Sequence, residues 1–433
     1  MMSSHDDSEK VTYLDNNATT MQTPETISAM THWCNRGNPS SSYKSAVISR
    51  NMFSTFRTYI ATSCGFEPNV YSIIFTSGAS ESNSMIITSA VRGYLKRTGK
   101  KPHIVTSEIE HKSILMCCQQ LVDEGLADMT LVKPVTAGPK YGTVDPGDVA
   151  LAIQANTCIV SIMAANNETG AINDIAAIGR VSHNAGVAFH TDAVQLFGKY
   201  LVFPDSQSVD AFSVSFHKLH GPPGVGILVV KNRFIDGYEL PALVCGTQNG
   251  TLRGGTENLP GIAASFDAMK NVMKDRVKKN KNMRIMRDYI KEKLGKVFMC
   301  MNITTYQTRN DSLSRKINEQ YKEGKAILVW IGPDDESSLL DNTILVSVLR
   351  RGICNIRICS MMEKDGVIVS IGSACNASEA SEPSHVVRAL GVPGELASNA
   401  VRISTSDLTH ADDVKKFIIV FSRVITSHDV LLL

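Results

Sequence analysis

The chain has 433 residues, of which 43% are hydrophobic and 20% are charged, a composition typical of a globular protein. Its 44 basic and 42 acidic residues leave a net charge of +2, which argues against nucleic-acid and membrane-surface partners. No apolar run approaches the roughly 18 residues of a membrane span. The first residues, MMSSHDDSEK, resemble neither a secretory signal nor a transit peptide, so we expect a cytoplasmic protein. The length of the chain indicates two domains.

The ten cysteines indicate neither disulfides nor a metal site. Most lie in apolar stretches such as LMCCQQL and NTCIVSIM, which favours buried, reduced thiols. No CxxC pair is present, and Cys354 and Cys359 lack a nearby histidine or second pair, so we expect no metal. Cys375 differs, because its neighbours in SIGSACNASEASEPSH are small or polar and offer little that would bury a thiol.

Short β-branched stretches alternate with helix-like segments from about residue 70 to residue 230. The predicted strands lie in YSIIFT (71–76), PHIVTS (102–107), DMTLVKPV (128–135), TCIVSIMAANNETG (157–170), VAFHTDA (187–193), DAFSVSFHK (210–218) and VGILVVK (225–231). Strands that alternate with helices predict an α/β domain whose mainly parallel, seven-stranded sheet is covered on both faces.

The rest of the chain predicts a second, smaller domain of the α+β type. Apolar residues recur at helical spacing among lysines and arginines in 266–298, which predicts one solvated linking helix. Further strand and helix patterns follow up to the C-terminus. We therefore expect a large domain over 15–265 and a small domain made of 1–14 and 266–433, with a loop at 370–385 that carries Cys375.

Polar residues follow the first predicted strand. Gly78 comes after YSIIFT, and a helix-like segment begins near Ala79 and Ser80. The free N–H groups and the dipole of a helix N-terminus bind phosphate, and the Ser80 hydroxyl would add a donor. A serine and glycine turn that only caps the helix is the alternative interpretation.

Other strand ends carry polar residues too: His111 after PHIVTS, Asn167 after TCIVSIM, Asp192 and Gln195 after VAFH, and Ser215, His217 and Lys218 after AFSV. Singly, most of these residues are also ordinary caps or turn formers. A lysine at the end of an apolar strand packs poorly, but it attaches to aldehydes when it is desolvated. With a carboxylate and a phosphate site nearby, the set is what pyridoxal phosphate requires.

A series of motifs extends over nearly the whole chain: YLDNNATT (13–20), GNPSS (38–42), FTSGASESN (75–83), EHKSIL (110–115), NNETG (166–170), TDAVQ (191–195), SFHKLHGPPGVG (215–226), RGGTEN (253–258), GSAC (372–375) and EPSHVVRALG (382–391). In these motifs and their order the chain resembles the cysteine desulfurases, which are NifS- and IscS-like pyridoxal-phosphate enzymes of the class V aminotransferase family and of fold type I.

The resemblance implies a role for each matching residue. Lys218 would hold the cofactor and remove the Cα proton, and His111 would stack on the ring and shuttle protons. Asp192 would contact the ring nitrogen. The phosphate would be bound by Ala79, Ser80, Ser215 and His217. Gln195 and Asn167 would lie near the ring oxygen, and Asn167 would also contact the substrate. Thr256 would reach the phosphate bound by the neighbouring subunit of a homodimer, and Arg402 would bind the substrate carboxylate.

The resemblance also assigns Cys375 as the nucleophile. The implied reaction converts L-cysteine to L-alanine and leaves the sulfur on Cys375 as a persulfide. That sulfur would pass to an acceptor protein for iron–sulfur cluster assembly or tRNA thiolation. The chain departs from the family in places: RISTSDLT (402–409) replaces a glycine-containing turn, and 300–341 matches poorly.

Two alternatives stay open from the sequence. The first is a selenocysteine lyase or another lyase of class V, because the motifs do not show which substrate is preferred. The second is a homologue without catalytic activity that acts as a binding or regulatory protein. The presence together of Lys218, His111, Asp192, Gln195 and Cys375 argues against the second alternative.

Overall fold

The computed structural model describes residues 11–238, 242–249, 252–372 and 382–428. Cys375, which the sequence places in the catalytic loop, lies outside the described residues, as do residues 1–10 at the start of the chain. No described helix is long and apolar enough to cross a membrane.

Helices and strands alternate through most of the described chain. The strands are β1 (Thr12–Tyr13), β2 (Tyr71–Thr76), β3 (His103–Ser107), β4 (Asp128–Val132), β5 (Thr157–Ser161), β6 (Ala188–Asp192), β7 (Ala211–Ser215), β8 (Gly226–Lys231), β9 (Met299–Asn302), β10 (Ile327–Trp330), β11 (Thr343–Leu349), β12 (Val367–Ile368) and β13 (Ala400–Ser404). The helices are α1 (Pro24–Trp33), α2 (Lys44–Ser63), α3 (Ala79–Thr98), α4 (Lys112–Asp123), α5 (Pro146–Ala152), α6 (Ile175–Asn184), α7 (Asn232–Tyr238), α8 (Leu259–Met273), α9 (Arg276–Gly295), α10 (Ile303–Gln307), α11 (Asp311–Lys322), α12 (Asn355–Lys364), α13 (His385–Ala389), α14 (Gly394–Ala397) and α15 (Ala411–Thr426).

The larger sheet has seven strands in the order β2-β8-β7-β6-β5-β3-β4. The four pairs from β7 to β4 are parallel, whereas β8 runs antiparallel to both β2 and β7. This arrangement confirms the predicted α/β fold with a mainly parallel sheet. The carboxyl ends of β3, β5, β6 and β7 consequently lie at one edge of the sheet, where ligands bind in folds of this kind.

Successive side chains of each strand enter two different cores, as the two-residue period of a strand requires. In β2, Ile73 and Phe75 pack into a core shared with α2, whereas Ile74 packs into one shared with α3 and α4. Because both faces are covered, every residue of β5 and of β7 is buried. This double burial explains why these strands are nearly continuous apolar runs.

A second sheet forms the C-terminal part of the chain. It has four strands in the order β13-β11-β10-β9, in which β10 is parallel to β9 and antiparallel to β11. Helices α9, α12 and α15 cover one face with apolar side chains such as Ile290, Ile358 and Phe417. The N-terminal strand β1 pairs with β12, so the beginning of the described chain is held against its C-terminal part.

The segment 266–298 is not the single linking helix that the sequence predicts. Helix α8 ends at Met273, and α9 begins at Arg276 after Asp275, whose φ of 56° lies in the left-handed region. Nor is α9 solvated all round, because it buries Met283, Ile290 and Leu294. Charged residues at half of its positions obscure this narrow apolar face in the sequence.

Candidate active site

A cavity of about 400 Å³ opens at the carboxyl edge of the seven-stranded sheet. Its volume is in the range of small-molecule sites. Ten of the residues that the sequence singles out line it together: Ala79, Ser80, His111, Asn167, Asp192, Gln195, Ser215, His217, Lys218 and Arg402. The structure therefore brings together residues that are as much as 323 positions apart, taking Ala79 and Arg402 as the extremes.

One end of the cavity suits an anion. Gly78 precedes α3 with φ of 152° and ψ of 174°, a backbone conformation that residues other than glycine rarely adopt. A Cβ on Gly226 would lie 2.6 Å from Gly78 Cα, so the two backbones pack directly against each other. This contact opens the N-terminus of the 20-residue helix α3 to the cavity at Ala79 and Ser80, where N–H groups and the helix dipole favour a phosphate.

Lys218 follows β7 in a short 3-10 turn (Phe216–Lys218), which places its amine under the same cavity. Its Nζ donates to the carbonyl oxygen of Asn17 at 2.7 Å and to that of Ala18. Burial, together with the positive charges of Arg402 and Lys199, lowers the pKa of Lys218 to about 7. A neutral amine is thus accessible near neutral pH, which is the form that attacks a carbonyl or accepts a proton.

Asp192 ends β6 with both carboxylate oxygens held in place. Its Oδ2 accepts from Asn83 Nδ2 at 2.8 Å, and its Oδ1 accepts from the backbone N–H of Val194 at 3.0 Å. These bonds fix the orientation of a carboxylate that is itself buried. The carboxylate could therefore hold a protonated ring nitrogen without rearranging.

His111 caps the N-terminus of α4. Its Nδ1 accepts from the backbone N–H of Ser113 at 3.1 Å and lies 2.8 Å from the Ser113 hydroxyl. An accepting Nδ1 leaves the ring proton on Nε2 when the imidazole is neutral. Burial lowers the pKa of His111, an effect that Asp192 only partly offsets, so the ring is neutral at pH 7.

Arg402 lies in β13 of the smaller sheet, yet its side chain is only 1% exposed and lines the cavity. Nη2 donates to Asp15 Oδ1 at 2.6 Å, and Nη1 donates to the carbonyl oxygen of Asn167 at 3.1 Å. Its buried Nε has no hydrogen-bond partner among the described residues. The guanidinium is thus oriented from one side while a donor stays available for an anionic ligand.

Asn17 is a site residue that sequence reasoning missed. Its carbonyl oxygen accepts from Lys218 Nζ at 2.7 Å and from Gln195 Nε2 at 3.0 Å. Its Nδ2 donates to the carbonyl oxygen of Asn167 at 3.1 Å. The motif YLDNNATT was a usable signal, but it does not follow a strand of the large sheet, so a search of strand ends passed over it.

Two predicted residues are not among the described residues that line the cavity. Thr256 is exposed and is not among the described residues that line the cavity. Cys375 belongs to residues 373–381, outside the described part of the chain. Their predicted roles, a contact to a neighbouring subunit and the nucleophile, therefore stay predictions.

The cavity fits pyridoxal phosphate in the chemistry of its donors and acceptors. The N-terminus of α3 offers donors to a phosphate, and Asp192 offers a carboxylate to a ring nitrogen. The buried Oε1 of Gln195 has no hydrogen-bond partner among the described residues, as expected of a group that awaits a ligand. Together, fold and cavity define an α/β enzyme that depends on pyridoxal phosphate.

The chain belongs to the aminotransferase class-V family, whose model matches residues 12–329. It is 31% identical to the cysteine desulfurase IscS of Methanosarcina thermophila, over 96% of this chain and 92% of that protein. It is 33% identical to the selenocysteine lyase of Xenopus laevis, over 93% of this chain and 91% of that protein.

Solved protein structures also resemble this chain over most of its length. A NifS-like protein superposes with a TM-score of 0.78 at 27% identity, covering 96% of this chain and 99% of the other. The structure described as SspA in complex with cysteine superposes with a TM-score of 0.69 at 28% identity, covering 92% and 99%. The similarity thus extends well beyond the cavity to both sheets.

Proposed function

We propose that this chain is a cysteine desulfurase, which converts L-cysteine to L-alanine and retains the sulfur as a persulfide on Cys375. The observation that carries the proposal is the convergence of Lys218, Asp192 and Arg402 on one cavity in a chain similar to proteins named cysteine desulfurase. A related structure whose title describes a complex with cysteine supports the same substrate.

Pyridoxal phosphate, when bound, supplies an electron sink that weakens bonds at the substrate Cα and Cβ. Ala79, Ser80, Ser215 and His217 would hold its phosphate, and Asp192 would hold its ring nitrogen. Burial and the neighbouring Lys218 lower the pKa of His217 to about 4, so His217 is neutral and acts as a hydrogen-bonding group rather than a cation. Gln195 and Asn167 would contact the ring oxygen.

Lys218 and His111 are the proton-handling groups. The Lys218 amine, whose pKa lies near 7, would take the proton from the substrate Cα. His111, held neutral by burial, would stack on the ring and pass protons through Nε2. Arg402 would bind the substrate carboxylate, for which its planar guanidinium is suited.

Cys375 would act as the nucleophile on the substrate sulfur. The bond between the two sulfurs forms as the carbon–sulfur bond of L-cysteine breaks, and the proton of the Cys375 thiol replaces sulfur on the carbon that becomes the methyl group of alanine. Atoms and electrons balance without an external oxidant or reductant. Only the thiolate is strongly nucleophilic, so Cys375 must lose its proton first.

The wider assembly belongs to the same proposal. The enzyme would be a cytoplasmic homodimer in which Thr256 reaches the phosphate bound by the neighbouring subunit. A sulfur-acceptor protein would take the persulfide sulfur for iron–sulfur cluster assembly or tRNA thiolation. Residues 15–265 would form the large domain, and 1–14 with 266–433 the small one.

A second candidate is a selenocysteine lyase, because relatives with that name are as similar as those named cysteine desulfurase. The ratio of kcat/KM for L-cysteine and L-selenocysteine decides between the two. A desulfurase turns over L-cysteine in a reaction that depends on Cys375, whereas a selenocysteine lyase turns over L-selenocysteine and leaves L-cysteine essentially unchanged.

The proposed function is tested by alanine formation from L-cysteine in the parent enzyme and in Cys375→Ala. We expect Cys375→Ala to keep the visible absorbance of the bound cofactor but to lose alanine and persulfide formation by about 100-fold or more. Cys34→Ala, which changes an exposed thiol outside the cavity, is the matched control and should behave as the parent. Parent rates in Cys375→Ala would overturn the assignment of the nucleophile.

A further inference from the structure

Glu168 is a buried carboxyl group beside the cavity that the proposed mechanism does not use. It follows Asn167, a cavity residue, in the turn after β5, and it is 1% exposed. Its backbone N–H donates to Asn166 Oδ1 at 2.9 Å, so the turn itself is held rigidly. Burying a carboxyl group costs free energy unless its oxygens find partners, so its contacts are informative.

The carboxyl group of Glu168 lies beside two separate segments of the C-terminal part of the chain. Oε2 accepts from the Ser384 hydroxyl at 2.6 Å, and Ser384 also caps the N-terminus of α13. A Cβ on Gly372 would lie 3.2 Å from the same oxygen, so the Gly372 backbone passes directly beside it. Gly372 and Ser384 are the two flanks, in sequence, of the stretch that contains Cys375.

The first flank is also tied to the substrate side of the cavity. Ser370 exchanges two backbone hydrogen bonds with Arg402, at 3.1 and 2.7 Å. Arg402 donates in turn to the carbonyl oxygen of Asn167, the residue before Glu168. The flanks, the proposed carboxylate-binding arginine and Glu168 therefore form one connected unit.

The burial of Glu168 is compatible with such a contact. Burial raises the pKa of Glu168, although the Ser384 hydroxyl and the Arg402 charge oppose the rise. A carboxyl group with a raised pKa tolerates a site that excludes water, and it still accepts a hydrogen bond from a hydroxyl. Glutamine has nearly the same shape as glutamate, so its amide oxygen should accept the same hydrogen bond from the Ser384 hydroxyl.

We propose that Glu168 is a positioning residue for Cys375. Glu168 accepts a hydrogen bond from Ser384 and lies against Gly372, and in this way it keeps the two flanks at a fixed separation next to Arg402. This inference rests on the proposed function, in which Cys375 attacks the substrate sulfur. The two flanks determine where the intervening stretch starts and finishes relative to the substrate. Misplacing a reacting group by about 1 Å costs about 100-fold in rate, so a small change at the flanks matters.

The test compares Glu168→Ala with Glu168→Gln in the holoenzyme. We expect Glu168→Ala to lower the rate of persulfide formation on Cys375 in a single turnover by about tenfold or more, with cofactor absorbance retained. Glu168→Gln should stay within about threefold of the parent, because the amide oxygen still accepts from Ser384. Asp341→Ala is the matched control, since Asp341 is also a buried carboxyl group but pairs with Arg284 and Tyr200 instead.

A second measurement is independent of desulfurase activity. The rate at which iodoacetamide alkylates Cys375, followed by peptide mass spectrometry without substrate, should rise in Glu168→Ala and stay at the parent value in Glu168→Gln and Asp341→Ala. Should Glu168→Ala fail to fold or to bind cofactor, Ser384→Ala removes the other half of the hydrogen bond and should give the same two changes.

The outcomes separate the two proposals. Parent rates of both persulfide formation and alkylation in a folded Glu168→Ala or Ser384→Ala variant would overturn the positioning role. A rate loss that Asp341→Ala reproduces equally would overturn it too, because any buried carboxyl group would then have the same effect. Persulfide formation that survives in Cys375→Ala would instead overturn the proposed function, whatever Glu168 does.

Discussion

Lys218 shows how burial changes a common residue into a reactive one. An exposed lysine is almost fully protonated at neutral pH, because its ordinary pKa is about 10.4. Lys218 loses water contact in the cavity and lies near two other cations, Arg402 and Lys199, so its pKa falls to about 7. The two carbonyl oxygens that accept from its Nζ belong to Asn17 and Ala18, from the other end of the chain.

The lowered pKa of Lys218 predicts how cofactor attachment depends on pH. The neutral amine is the attacking form, so its rate of attachment in the apoenzyme should rise as the pH increases through about 7 and then level off. Stopped-flow absorbance after mixing apoenzyme with pyridoxal phosphate measures this rate. Lys199→Met removes a neighbouring cation that lowers the pKa of Lys218, so its midpoint should lie at higher pH. A midpoint that stayed near 10 in the parent would contradict the interpretation.

A charged link joins elements that the sequence separates widely. His220, two residues after Lys218, has φ of 63°, and its ring nitrogens lie 2.6 Å from the Met21 carbonyl oxygen and 2.7 Å from Asp407 Oδ1. Both oxygens act as acceptors when Asp407 is ionised, so each ring nitrogen lies opposite an acceptor. Lys279 of α9 pairs with the second carboxylate oxygen of Asp407 at 2.8 Å.

We predict that Asp407→Asn lowers the free energy of unfolding by about 2–4 kcal/mol at pH 7, because it leaves buried positive charge without its partner. Burial alone would raise the pKa of Asp407, but hydrogen bonds and charges from His220 and Lys279 hold it well below its ordinary range. The stabilisation is therefore present above the unfolded pKa of about 3.9 and is lost as the pH falls below it.

Urea unfolding of the parent, His220→Gln, Asp407→Asn and the double variant measures this link as a thermodynamic cycle. We expect strongly non-additive effects near neutral pH and a smaller difference in acid. Additive effects at pH 7 would show that the pair contributes nothing of its own. Asp407 lies in the segment RISTSDLT (402–409), three residues after the end of β13.

At the scale of secondary-structure elements, strands were easier to predict than helices. The predicted strand YSIIFT coincides with β2, and VGILVVK differs from β8 by one residue, because double burial makes such strands apolar throughout. The break between α8 and α9 was missed, since the left-handed conformation of Asp275 depends on packing rather than on a proline or glycine. The small strand β9 was missed because it is only four residues long and mostly half-buried.

At the scale of the molecule, the cavity is closed by both sheets. The large sheet contributes Lys218, Asp192 and the N-terminus of α3, and the small sheet contributes Arg402. The N-terminal segment connects them, because Asp15 accepts from Arg402 and the Asn17 carbonyl accepts from Lys218. In the proposed function, substrate binding and chemistry at the cofactor therefore belong to different sheets, which one short segment holds together.

The proposed homodimer predicts complementation between subunits. If Thr256 contacts the phosphate bound by its neighbour, Thr256→Val and Lys218→Ala homodimers each lack a complete site. Mixed dimers, however, contain one site with both Lys218 and Thr256. Refolded or co-expressed mixtures should therefore regain tight cofactor binding at that site, measured by titration of the visible absorbance. Affinity no better than that of Thr256→Val homodimers would indicate that Thr256 acts within its own subunit.

The sequence by itself determined the fold class and most of the polar groups of the site. Buried parallel strands must be apolar along their length, so the polar residues at their ends, such as Asp192 and Lys218, are conspicuous. These positions depend on local pattern, which a single chain shows directly. The same reasoning found Ser80 and His111 at helix N-termini.

Only the tertiary structure decided which distant residues complete the site. The pairing of Arg402 with Asp15 spans 387 positions, and the contact of Glu168 with Ser384 spans 216, so no local pattern announces either of them. Burial likewise lowers the pKa of Lys218 and raises that of Glu168, because desolvation depends on what surrounds a group in space. The sequence supplies the reactive groups, whereas packing of the two sheets determines their charge and their separation.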